Sequence, residues 1–135
     1  MKIPNLLIYP LLILSTVLGA SDLQSPSQFL GYELGDKFTF HHDAVDYFDY
    51  VSKVSEHINL IRYGETYEDR PLIVSVITHP NNKESLESIR TNHLITSGLL
   101  EGEKPENPFS VVWSSYSVHG NESSSMEAAI KTLHT

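Results

Sequence analysis

The sequence predicts an α/β fold, a mixed sheet with helices on both faces, incomplete at its C-terminus. Three observations predict it. Apolar residues recur at three- and four-residue steps after Asp43 and again after Ser123. Short β-prone runs stand at Ile58–Tyr63, Pro71–Thr78 and Phe109–Val118. Elements alternate in the order helix, two strands, helix, strand, helix, the pattern of a sheet covered by helices.

Met1–Ala20, MKIPNLLIYPLLILSTVLGA, carries one basic residue, an apolar run from Leu6 to Leu18 and the small pair Gly19 and Ala20. That is the layout of a secretory signal peptide cleaved after Ala20, which places the chain in a secreted or periplasmic setting. Pro10, Ser15 and Thr16 interrupt the run, and no basic cluster follows it, so stable membrane insertion is not expected after cleavage. From Ser21 to His42, Pro26, Gly31 and Gly35 break any period, and this stretch reads as an irregular arm. The folded domain is then expected from residue 43 to 135.

Asp43 is placed to cap a helix whose inner positions are Ala44, Tyr47, Phe48, Val51 and Val54, with Asp46 and Asp49 pointing outward. Gly64–Arg70, GETYEDR, is turn-like, so the runs before and after it pair as a hairpin. Asn82–His93 puts Leu86, Ile89 and His93 on one helical face, and Gly98 stops it. Gly102–Pro108 is a charged, proline-bearing loop. Phe109–Val118, FSVVWSSYSV, reads as a buried strand. The last helix places Met126, Ala129, Ile130 and Leu133 at i, i+3, i+4 and i+7, and Ser124 with Glu127 has capping-box spacing.

Composition narrows the function. Among 135 residues there are 9 Lys and Arg against 17 Asp and Glu, a net charge of −8, which becomes −9 once the leader takes Lys2 with it. Such a surface repels a phosphate backbone, and no basic cluster reverses it, so nucleic acid is not an expected partner. There is no cysteine. Disulfide scaffolds, thiol nucleophiles and Cys-ligated zinc are thereby excluded, and any metal must be held by His, Asp or Glu.

One constellation carries chemistry. His119 and Glu122, in VHGNESSSMEAA, form the only H-x-x-E in a chain with seven histidines. Ligands of open α/β sheets gather beyond the carboxyl ends of strands, and Gly120 would let the backbone turn so that imidazole and carboxylate converge. Zinc accepts both donor types, and a catalytic zinc takes three protein ligands and leaves a place for water. On spacing alone the motif is weak, since a histidine at a strand end is commonly a polar loop residue. Asn121, Glu122 and Ser123 also spell a glycosylation sequon, which would place a glycan at the same corner.

YGETYEDRPLIVSVIT (Tyr63–Thr78) followed by VVWSSYSVHGNESSSMEAA (Val111–Ala129) resembles the N-terminal part of a zinc carboxypeptidase of the metallocarboxypeptidase A family. Such proteins carry a G-x-T-x-E-x-R-P hairpin and then a strand ending in H-x-x-E. The stretches PSQFLGYELGDKFTFHHDAVDYF and NNKESLESIRTNHL are similar to a secreted bacterial branch of that family. The resemblance runs from about Pro26 to Thr135. It implies a zinc-dependent peptidase acting on peptide or protein substrates, with one Zn²⁺, as a monomer. His119 and Glu122 match two zinc ligands, and Arg70 matches an arginine that lines the substrate cleft. Arg70 reads equally as a hairpin residue holding the turn through Glu68 or Asp69.

In the family a third ligand, a histidine, and a glutamate that acts as general base both follow far downstream of H-x-x-E. The chain stops thirteen residues after Glu122. The resemblance therefore implies a third ligand beyond Thr135, no catalytic residue within this chain and no activity from it alone. His41, His42, His57, His79 and His93 follow no strand end in a ligand-like motif and read as capping, surface or core residues. Two other readings compete: a zinc-dependent amidohydrolase of the aspartoacylase and desuccinylase type, which uses a similar HGNE corner, and a non-catalytic secreted remnant that binds peptides.

Overall fold

The computed structural model describes residues 23–135, so the leader read at Met1–Ala20 lies outside the described residues. The described residues form four α-helices and one antiparallel two-stranded sheet. Among the described residues no helix is long and apolar enough to cross a membrane.

The arm is more ordered than its prolines and glycines suggest. Pro26–Leu30 forms a short helix, α1. Ser25 accepts from the Gln28 N–H while the Gln28 side chain accepts from the Ser25 N–H, a reciprocal capping box. Pro26 occupies the first turn, where its missing N–H costs nothing, and Gly31 ends the helix in the left-handed region at φ 77°. The residues read as breakers are the helix's boundaries.

α2 spans His41–Val54. It starts ahead of Asp43: the Ala44 N–H already donates to the Phe40 carbonyl at 3.1 Å, which makes Phe40 the cap, and Asp43 lies inside the first turn, where its charge favours the helix dipole. Ala44, Val45, Tyr47 and Val51 are buried. Phe48 packs on the core from a half-buried position, and Asp46 is exposed as expected. Asp49 is not simply outward, since its carboxylate pairs with Arg62 of the first strand.

The hairpin forms from β1, Ile58–Glu65, and β2, Pro71–Ile77, in antiparallel register from Ile58 opposite Ile77 to Glu65 opposite Pro71. The register slips between Arg62 and Gly64, where Tyr63 is the extra residue. The expected mixed sheet with helices on both faces is thus an antiparallel pair among the described residues, and α2 is the only helix packed against it.

After β2, Pro80–Ser85 winds as a 3₁₀ turn and Leu86–Thr96 as α3. Pro80 starts the turn and the His79 ring accepts from the Asn81 N–H at 3.2 Å. Gly98, at φ 78°, closes α3 as expected. Leu86, Ile89 and His93 are only half-buried, because among the named elements α3 lies against the 3₁₀ turn alone.

The third strand does not form. Phe109–Val118 makes no ladder with either strand, and Val112 and Trp113 are 88% and 74% exposed. β-prone side chains fit a pleated, half-buried surface, and no described strand offers this segment that surface. α4, Ser124–His134, buries Ala129, Ile130 and Leu133 with Met126 at the margin, as its spacing predicts. α4 packs on α2, and the core gathers Ala44, Tyr47, Val51, Ile58, Ile130 and Leu133.

Candidate functional site

His119 and Glu122 sit on a turn between the extended segment and α4, both exposed. The Glu122 N–H donates to the His119 carbonyl at 3.0 Å, and the Ser125 N–H to the Glu122 carbonyl at 3.3 Å. These bonds carry the turn into the helix. The expected setting at the carboxyl end of a paired strand is absent, since the segment that precedes the corner is unpaired.

Gly120 does not provide the turn by a left-handed backbone. The positive φ falls instead on Ser117, at 56°, and a Cβ built on Gly120 would meet nothing within 4 Å. Asn121 shares the exposed turn, so its side chain is accessible.

Imidazole and carboxylate at this spacing suit zinc in donor type. Among the described residues no group of three or more His, Asp or Glu gathers to hold a metal ion. Two exposed donors would leave an ion mostly water-bound. None of the other five histidines named above completes the corner. His41 opens α2; His42 stacks on Phe40 and lies 3.4 Å from Asp43. His57 and His79 face each other at the open end of the hairpin with ring centres 5.9 Å apart, and the His93 Nε2 lies 2.7 Å from the Phe109 carbonyl.

Arg70 closes the hairpin loop. The Thr66 N–H donates to the Arg70 carbonyl at 2.9 Å and the Asp69 N–H to the Thr66 carbonyl at 3.0 Å. The Thr66 hydroxyl oxygen accepts from the Glu68 and Arg70 N–H groups, both at 3.2 Å. Asp69 takes the left-handed position, φ 57°, of a three-residue hairpin loop. The Arg70 guanidinium pairs with Glu68 at 2.7 Å, both exposed. It also borders a hollow of about 460 Å³ between the hairpin and the start of α2, with His41, His42, Asp46 and Arg62.

Sequence reasoning missed the role of Glu127. Its Oε1 accepts from the Thr39 N–H at 2.9 Å and from the Thr39 hydroxyl at 2.7 Å, in place of the capping box expected with Ser124. Ser123 is the cap residue of α4 and makes no side-chain cap bond. A larger groove of about 700 Å³ lies beside this contact, between residues 34–38 and the first turns of α4. No family model matches the chain, and no curated protein or solved structure matches it.

Proposed function

We propose that the chain is part of a zinc-dependent metallocarboxypeptidase with the α/β fold of that family, exported by the leader at Met1–Ala20 and acting on peptide or protein substrates. The observation that carries the reading is the order of two motifs. The GETYEDRP loop, Gly64–Pro71, joins a true hairpin, and the H-x-x-E corner downstream opens a helix. In this reading His119 and Glu122 supply two zinc donors, a further histidine outside the described residues supplies the third, and Arg70 faces substrate. One zinc ion would polarise the scissile carbonyl and activate water once that third donor is present.

The chain alone is expected to take zinc weakly and to leave a C-terminal-residue reporter peptide intact. Nuclear magnetic resonance of the chain during zinc addition should move the His119 and Glu122 signals and no other histidine. Unmoved His119 and Glu122 signals would overturn the metal reading. Zinc-dependent release of the C-terminal residue by this chain would overturn the need for a third donor, and cleavage of acylated amino acids in preference to peptides would favour the amidohydrolase reading.

A further inference from the structure

We infer that Glu127 is the positioning residue of the His119–Glu122 corner, fixing the entry of α4 to the arm through Thr39; the inference rests on the metal reading above. Apart from Met126, which packs on the margin of the core, the entry of α4 has little else to hold it. Its cap residue, Ser123, has helical backbone angles and leaves the first N–H groups without a side-chain partner. Residues 119–127 make no side-chain hydrogen bond to the rest of the described chain except the pair from Glu127 to Thr39. That pair is well anchored at its far end. Thr39 is a buried polar residue, 8% exposed, and the Tyr32 hydroxyl donates to its oxygen at 2.9 Å. The second carboxylate oxygen of Glu127 is buried and has no partner, so the bonding of the carboxylate goes to Thr39. Tyr32, Thr39 and Glu127 form a directed chain of hydrogen bonds that ends five residues from Glu122, on the same helical entry.

The consequence for the corner is geometric. His119 and Glu122 are bound to α4 by the backbone bonds Glu122 to His119 and Ser125 to Glu122. An entry free to fray would let both donors wander, while a pinned entry presents them at one spacing. The core side chains Ile130 and Leu133 hold the later turns of α4 and do not reach the corner.

The test uses the full chain and amide exchange. Glu127→Ala removes both bonds to Thr39 and should speed exchange of the Glu122 and Ser125 amides by at least roughly tenfold, while the Ile130 and Leu133 amides stay protected. Glu127→Gln keeps the accepting oxygen and should restore slow exchange. Unchanged corner amides in Glu127→Ala, or exchange in Glu127→Gln as fast as in Glu127→Ala, would overturn the assignment. If Ile130 and Leu133 also lose protection, Thr39→Val, which leaves α4 untouched, removes the hydroxyl bond while keeping the backbone N–H bond and should speed exchange of the same two amides by a smaller factor. Cobalt(II) added to each protein supplies the second readout. Paramagnetic broadening at His119 and Glu122 should weaken in Glu127→Ala and return in Glu127→Gln. Equal broadening in both variants would refute positioning of the donors; no broadening in the parent chain would refute the metal reading, with exchange still deciding the role of Glu127.

Discussion

Tyr47→Phe removes one hydroxyl from the centre of the core and nothing else. Tyr47 is fully buried, and its ring meets Phe29 edge-on at 5.2 Å, a contact phenylalanine keeps. The hydroxyl donates to the Gln24 carbonyl at 3.1 Å and lies 3.3 Å from the His134 Nδ1. One phenolic proton serves one acceptor, so His134 meets the phenol oxygen as a donor. Loss of these bonds should cost about 1 kcal/mol at pH 7. Burial, with Tyr50 adding to it, pushes the Tyr47 phenol up to about 12. In the unfolded chain a tyrosine titrates near about 10. The folded pKa is the higher one, so this contribution is fully present below pH ~10 and is lost as pH rises toward ~12, at about 1.4 kcal/mol per pH unit. The phenylalanine variant has no such loss. Urea unfolding followed by circular dichroism should therefore show the parent ahead at pH 7, level near about pH 11 and behind above it. A difference that stays constant from neutral pH to about pH 11.5 would refute both the burial of the hydroxyl and its consequence.

Ile130 is fully buried, at 0% exposure, so Ile130→Ala should cost about 2–5 kcal/mol in the same unfolding assay, and Ile130→Val about 1 kcal/mol. A cost for alanine below that of valine would mean that α4 does not seal the core. At the hairpin loop Asp69 holds a left-handed backbone, so Asp69→Gly should be neutral or slightly stabilising, whereas Asp69→Val should lower stability by roughly 1–2 kcal/mol. Equal thermal midpoints for the two variants would show that the loop does not keep this geometry.

The parts of the fold that were legible in the sequence are those fixed by local pattern. The inner face of α4 follows from the spacing of Ala129, Ile130 and Leu133, and the hairpin from two β-prone runs around a turn. The arm was legible in principle and misread: Ser25, Pro26, Gln28 and Gly31 are cap, first-turn, capping-box and termination signals in order, but singly they look like breakers. Phe109–Val118 failed for a different reason, because β-propensity measures fit to neighbouring strands and not a preference of the segment alone. Glu127 was out of reach. Its spacing from Ser124 satisfies the local capping rule, while its actual partner, Thr39, is 88 residues away and nothing in either local pattern announces the other.

Arg70 shows how the energetics of a contact bear on two readings of one residue. It pairs with Glu68, which taken alone favours a residue that holds the turn. The loop, however, is already closed by the Thr66 bonds to the backbone of Glu68, Asp69 and Arg70, none of which uses the guanidinium. The Arg70–Glu68 pair is exposed on both sides, and exposed pairs contribute about 0–1 kcal/mol. The backbone and hydroxyl bonds of Thr66, and not the charge of Arg70, therefore hold the turn, so the pair with Glu68 is no argument for a purely structural Arg70.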